Sequence, residues 1–298
     1  MAELLSGAPV AAALCRRAQR GVERLRERGI TPTMGIVRVG ARPEDMSYER
    51  GAVRRAQSLD IAVTRTLLPQ SVGEEELIGV LREVSANPRI HGCLLFRPLP
   101  PHLNTPAVVS VLKPEKDIDA MTGASMGGLL LQGSGAFPPC TAEACLELLR
   151  HYQISLPGKN IVMVGTGVTV GMPTAILLMS QGATVSACNV LTDPQRLREL
   201  CRGADIIISA AGKAGLIGRD HVRPGQIVVD VGVSPGPDGT LKGDVDFDQV
   251  SPVVAAITPV PGGVGAVTST VLSLHTVQAA LRSQGMEPVG EETHRPNC

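Results

Sequence analysis

Asn160-Ile161-Val162-Met163-Val164-Gly165-Thr166-Gly167-Val168-Thr169-Val170-Gly171 is the stretch whose reading decides the fold. Four consecutive apolar residues ending at Gly165 predict a buried strand, and residues 170–180 predict a helix behind it. Small residues in such a turn let backbone N–H groups and the helix dipole approach a pyrophosphate, which suits a dinucleotide. Glycines at this spacing are also explained by a tight turn with close helix packing, so the turn alone leaves both readings open. The next strand should end on an acid for a ribose 2′-hydroxyl, or near an Arg for a 2′-phosphate. Cys188-Asn189-Val190-Leu191 offers neither.

Working outward, the apolar runs 184–187, 205–210 and 226–231 lie at the spacing of a doubly wound sheet, and 255–260 adds a strand. Upstream, helical patterns at 8–28, 43–58, 73–85 and 141–152 alternate with extended runs at 35–39, 61–67 and 91–96. Such alternation argues for parallel sheets covered on both faces. Pro98, Pro100 and Pro101 break the chain, and the Gly-rich segment 123–135 has too little periodicity to assign. The expected fold is α/β with two domains. A three-layer α/β catalytic domain covers 1–141 and is completed by a returning helix at 265–283. A Rossmann-type doubly wound parallel sheet covers 142–264, and a flexible tail follows from 284, disordered from 286.

The length of 298 residues favours two cores over one. With 28 basic against 28 acidic side chains, nothing draws the chain to a phosphate backbone or anionic lipid, so neither nucleic acid nor membrane is an expected partner. There is no Trp, and two Tyr with three Phe leave no aromatic platform for base stacking. The seven cysteines are odd in number, widely spread and without CxxC spacing, and they read as reduced thiols. No apolar run approaches the roughly 20 residues that span a bilayer, and the N-terminus lacks signal-peptide features, so the cytoplasm is expected. The six His are scattered, and no metal is expected.

Six further strings sharpen the reading: PEKDID at 114–119, FPPCTAEA at 137–144, VGTGVTVGMP at 164–173, VVDVG at 228–232, KGDVDF at 242–247 and ITPVPGGVG at 257–265. In this order and spacing the chain resembles the bifunctional methylenetetrahydrofolate dehydrogenase/methenyltetrahydrofolate cyclohydrolase family, over nearly everything from residue 3 to about 283. The resemblance implies a homodimer that binds folate, removes hydride from 5,10-methylenetetrahydrofolate to NAD(P)+, and hydrolyses the methenyl product to 10-formyltetrahydrofolate. Asp119 matches the pterin-binding Asp, and a carboxylate there can accept from the N3–H and 2-amino donors of a pterin. A helix cap or surface acid is its alternative. Pro261, Gly262, Gly263, Val264 and Gly265 match the loop against the pterin, although a plain turn before a helix would look the same. Tyr48 matches the Tyr beside the aminobenzoyl group, against the alternative of a core Tyr. Cys140 reads as a packed small residue, since no His lies near it in sequence.

The departures fall on the chemistry. Family members carry a Lys four residues after the Tyr, where this chain has Ala52. An amine whose pKa falls on burial suits proton movement at the one-carbon bridge, and Arg does not. In some relatives a Lys stands at the sixth position after the Tyr. Arg54 holds that place and is the candidate electrophilic replacement, ahead of Arg55 and Arg50, with a solvated basic face as the alternative. The Gln that supports the Lys is Phe96, followed by Arg97, and both are expected at the substrate. Gly165, Thr166, Gly167, Asn189 and Val233 match cofactor positions, but the usual Gly-Arg-Ser and Cys-His-Ser have become Gly165-Thr166-Gly167 and Cys188-Asn189-Val190. NAD is therefore expected over NADP, or no dinucleotide at all. Three readings follow: a working folate enzyme with an altered proton-handling group, a folate-binding homologue without turnover, and an enzyme repurposed for a related one-carbon or pterin-like substrate.

Overall fold

The computed structural model describes residues 2–131, 135–236 and 240–290. In chain order these form β1 (Glu3–Leu4), α1 (Gly7–Arg26), β2 (Thr33–Val39), α2 (Pro43–Gln57), β3 (Ala62–Leu68), α3 (Glu74–Ala86), β4 (Gly92–Leu95), α4 (Thr105–Val109), α5 (Gly123–Leu131) and α6 (Cys140–His151). There follow β5 (Asn160–Val164), α7 (Gly171–Ser180), β6 (Thr184–Cys188), α8 (Pro194–Gly203), β7 (Ile206–Ser209), β8 (Ile227–Asp230), β9 (Ser234–Pro235), β10 (Leu241–Lys242), α9 (Phe247–Val250), β11 (Ala256–Ile257) and α10 (Gly265–Ser283). The chain divides into two compact units: 12–140 with 269 onward, and 1–11 with 141–268.

The first unit holds a three-stranded parallel sheet in the order β3-β2-β4. Central β2 is buried from Met34 to Val39, whereas edge strand β3 is open along most of its length. Val37, Leu77, Leu81, Cys93, Leu95 and Leu103 share one apolar core. At α2, Pro43 opens the first turn beside Glu44 and Asp45, and Arg54 and Arg55 close the last, charges placed to suit the helix dipole.

The second unit holds a six-stranded parallel sheet in the order β1-β11-β8-β7-β5-β6. The chain leaves β5 for β6 on one side, then crosses to β7 on the other. The carboxyl ends of β5 and β7 therefore flank the crevice where doubly wound sheets bind ligands. Val162, Val164, Ile207, Val228 and Ile257 belong to its core. Two buried carboxylates organise the loops at that end. Asp244 accepts from Ser209 Oγ at 2.9 Å and Lys213 N at 2.8 Å, and Asp230 accepts from Asp244 N at 3.0 Å and Val245 N at 2.9 Å. Burial and the neighbouring Asp244 push Asp230 up to about 6, while the backbone donors pull it down.

Three local features differ from the sequence expectation. The unassigned Gly-rich segment contains α5, begun by Thr122 Oγ1 accepting from Ser125 N at 3.0 Å. Gly127 and Gly128 in its middle obscure the apolar spacing. The first residues, expected with the catalytic domain, contribute β1, which pairs with β11 through Glu3↔Ala256 and Leu4↔Ile257. The tail expected to be disordered from 286 is anchored as far as Gly290: Val289 is buried, and its carbonyl accepts from Arg17 Nε at 2.9 Å. Residues 291–298 lie outside the described residues. Among the described residues six cysteines are free, no helix is long and apolar enough to cross a membrane, and no group of three His, Cys, Asp or Glu is placed to hold a metal.

Candidate active site

Asp117 and Asp119, two residues apart in one turn, do different work. Asp117 is fully buried and accepts from Met121 N and Thr122 N at 2.8 Å each, which fixes the turn. Asp119 stands free of that task. Its Oδ1 accepts from Cys140 N at 2.8 Å, and its Oδ2 faces an Arg97 nitrogen at 3.8 Å. Desolvation lifts its pKa above the usual carboxylate range, partly offset by the Cys140 N–H and the Arg97 charge. The turn thus presents one polarised carboxyl with lone pairs to spare for a donor pair on a ligand.

Tyr48 on α2 meets Phe96 edge to face, with ring centroids 5.9 Å apart. Tyr48 keeps 38% of its exposure and Phe96 only 7%, so the Tyr ring is the face offered to a ligand. Desolvation pushes the Tyr48 phenol well above its ordinary range, and Cys140 and Asp119 push it further. The hydroxyl therefore stays protonated as a donor near neutral pH. Tyr48, Phe96, Arg97 and Asp119 are brought together in one unit.

Sequence reasoning missed His275. It lies on α10, 135 residues from Cys140 in sequence, yet its Nδ1 is 3.7 Å from the Cys140 sulfur. No His lies near Cys140 in sequence, but His275 does in space. The chemistry remains that of a packed thiol: His275 Nδ1 donates to Ile118 O at 2.9 Å, and the Cys140 thiol donates to the same carbonyl at 3.3 Å. Burial drives His275 down to about 4, so it is neutral, and its Nδ1 carries the proton given to Ile118 O and cannot act as a base toward the thiol. Phe137 stacks on it at 4.8 Å, and Arg282 lies over the other ring at 4.3 Å.

In the second unit the turn after β5 separates glycines required by packing from one that is not. A Cβ on Gly165, which sits at φ +97°, would strike the carbonyl of Ala210 beyond β7, and one on Gly171 would strike the carbonyl of Gly165. Gly167 has nothing within 4 Å of the place its Cβ would take. The α7 N-terminus behind it has no side-chain cap. Met172 N is already taken by the carbonyl of Gly167 at 3.1 Å and Pro173 has no N–H, so it is the open space at Gly167 that fits a dinucleotide pyrophosphate at the switch point. Asn189 folds on itself, its Oδ1 accepting from Leu191 N at 2.9 Å. Val190 and Leu191, just beyond β6, are 95% and 89% exposed, apolar where a 2′-phosphate would want a cation, and Val233, 53% exposed, follows β8, which β7 and β5 separate from β6. In the 261–265 loop, Gly262 takes φ +104° and its carbonyl accepts from Gly7 N at 2.8 Å, while Val264 is buried.

Comparison with known proteins is decisive. Residues 5–119 match the family model for the tetrahydrofolate dehydrogenase/cyclohydrolase catalytic domain, and residues 139–284 match that for its NAD(P)-binding domain. The chain belongs to the tetrahydrofolate dehydrogenase/cyclohydrolase family. The bifunctional protein FolD of Carboxydothermus hydrogenoformans is 45% identical over 96% of this chain and 100% of its own. The crystal structure of the Campylobacter jejuni FolD superposes with a TM-score of 0.91 at 33% identity, over 95% of this chain and 99% of that one. The Trypanosoma brucei enzyme, solved with NADP cofactor and an inhibitor, gives 0.90 at 33% identity, over 95% and 98% of the two chains.

The departures from the family pattern now have places. Ala52, at the usual Lys position, is completely buried, so no amine reaches solvent from this turn of α2. Arg54 is not brought to Tyr48 and Asp119. It lines a separate cavity with Arg38, Glu49 and Arg65, on the side of α2 turned away from Tyr48. Phe96, at the supporting Gln position, packs on Tyr48 and supplies no hydrogen bond.

Proposed function

We propose that this protein oxidises 5,10-methylenetetrahydrofolate to the 5,10-methenyl form with NAD(P)+ and hydrolyses that product to 10-formyltetrahydrofolate. The observation that carries the reading is the convergence of Tyr48, Arg97 and Asp119, all within the stretch 5–119 that matches the catalytic-domain model, with Cys140 beside them in the same unit. Asp119 accepts from the pterin N3–H and 2-amino group, the Tyr48 ring lies along the aminobenzoyl group, and its protonated hydroxyl donates at the one-carbon bridge. The loop of Pro261, Gly262, Gly263, Val264 and Gly265 contributes backbone groups to the pterin.

The nicotinamide, when bound, supplies the hydride acceptor. Gly165, Thr166 and Gly167 let the pyrophosphate close on the α7 N-terminus, and Asn189 and Val233 border the rest of the dinucleotide. NAD is favoured because Thr166, Asn189 and Val190 stand where the usual Arg, His and Ser are missing. With Ala52 in place of the Lys, water attack on the methenyl carbon lacks an amine to organise it. Hydrolysis is therefore the slower half, and methenyl product accumulates. Arg54 lines the cavity with Arg38, Glu49 and Arg65, and in this reading Tyr48 is the group that serves both halves. The homodimer and the cytoplasm belong to the same reading, carried by the family resemblance.

The deciding assay mixes purified protein with 5,10-methylenetetrahydrofolate and NAD+ or NADP+, following reduced cofactor and methenyl absorbance together. Turnover with NAD+ and a transient methenyl signal is the expected result. Folate binding without turnover would replace it with a non-catalytic homologue, and neither binding nor turnover would point to a different substrate.

A further inference from the structure

On the side of α2 turned away from Tyr48, the structure holds a cavity of about 410 Å³. Its walls come from three elements: Arg38 from β2, Arg65 from the edge strand β3, and Glu49, Arg50 and Arg54 from α2. Four guanidinium charges thus face one carboxylate, and that carboxylate is already engaged. Glu49, 2% exposed, takes Arg38 Nε on one oxygen and Arg65 Nε on the other, each at 2.6 Å. Arg38 donates again to the carbonyl of Gly40. Arg50 and Arg54, four residues apart and so side by side on the helix, have no hydrogen bond or ion pair to any described residue. The floor between them is apolar, from Met46 and Val53.

Arg50, Arg54 and Arg65 are exposed and water screens much of their mutual repulsion, yet four guanidiniums around one engaged carboxylate leave an excess of positive charge at the cavity mouth. The arrangement makes sense if an anion offsets it. A guanidinium presents a planar fork of donors matched to carboxylate or phosphate oxygens, and Glu49 holds two of these forks fixed before any ligand arrives. We propose that this cavity binds a small multivalent oxyanion, one carrying two or more phosphoryl or carboxylate groups, with Arg50 and Arg54 as its principal donors and Arg65 as a third. Met46 and Val53 accommodate an organic part beside the charged groups. Since α2 presents Tyr48 to the folate on its other side, the ligand is neither of the reaction's substrates. Its site lies on the helix that carries Tyr48, across α2 from that side chain.

Calorimetric titration of the whole protein with pyrophosphate and with citrate tests this, each at low and at raised salt. Saturable binding of at least one, weakened at least tenfold in an Arg50→Gln/Arg54→Gln variant that melts at the wild-type temperature, is the expected result. The tighter of the two then tells phosphoryl from carboxylate as the source. Arg54→Gln alone serves should the double variant melt early, and it is expected to weaken binding in the same direction. The proposal is overturned if neither anion binds saturably, or if the variants bind both as well as the parent. A change of oligomeric state in the variants without any anion binding also overturns it, because a second copy's acidic groups would then be what the cavity receives.

Discussion

The backbone N–H of Cys140 donates to Oδ1 of Asp119 at 2.8 Å, tying the start of α6 to the carboxylate proposed to receive the pterin. This bond sets which oxygen of Asp119 is engaged by the protein and which remains toward Arg97 and a ligand. Asp119→Asn keeps an acceptor for Cys140 and loses the charge. Hydrogen bonds to a charged partner are worth about 1.5–3 kcal/mol, so kcat/KM for methylenetetrahydrofolate should fall roughly 10- to 100-fold with little change in melting temperature. A variant within twofold of the parent would remove Asp119 from the site.

Tyr48→Phe preserves the edge contact with Phe96 and deletes only the hydroxyl. Hydrolysis of added methenyltetrahydrofolate should drop more than hydride transfer, since no Lys shares the proton work. Because burial, Cys140 and Asp119 all raise the phenol, it stays protonated up to pH 10. Between pH 7 and 10 the parent and Tyr48→Phe should differ in level and not in the shape of their pH profiles. An alkaline limb present only in the parent would contradict the assignment.

The two kinds of glycine in the turn can be told apart. Gly171→Ala must move the backbone of Gly165 and should lower stability by more than about 2 kcal/mol. Gly167→Ala meets nothing in the protein, so its melting temperature should stay within about 2 °C. Its KM for the dinucleotide should rise roughly tenfold, about 1.4 kcal/mol. Equal effects in both variants would mean that Gly167 is also a packing residue. On the rim, Val190→Arg adds a cation at a 95% exposed site and should raise kcat/KM with NADP+ relative to NAD+ by roughly tenfold.

His275 makes acid stability measurable. Its pKa is lowered by burial from an ordinary 6.5 to about 4, so the unfolded chain takes up a proton that the folded one refuses. Its contribution is present above pH 6.5 and is lost as the pH falls toward 4, about 3 kcal/mol in all. Urea unfolding at pH 7 and pH 4.5 should show a loss that shrinks in His275→Gln. The raised Asp230 works in the opposite sense over pH 3.8 to 6, favouring the folded state in acid, so the parent's slope is the difference of the two.

The central strands were legible because buried parallel strands are short apolar runs, and β5, β7 and β8 are written that way. Asp119 and the glycine turn stand inside the quoted family strings, and Tyr48 was singled out by the resemblance itself. His275 and Arg54 were not, for one physical reason: position around a helix or across a fold is decided by packing. Arg54 is only two residues from Ala52 in sequence, yet those two steps carry it about 200° around α2. His275 needed the return of α10 before it could meet Cys140. The first strand, two residues long, has no period to detect.

Neither unit is one continuous piece of chain: the first needs residues from 269 onward, and the second needs residues 1–11. During synthesis the amino-terminal segment emerges first and must wait for β11 before its strand has a neighbour, while the sheet around β2 lacks its last helix until α10 is made. Neither half can finish folding while the ribosome is still working on the other. A cut near residue 140 should therefore yield two fragments that recover activity only when mixed.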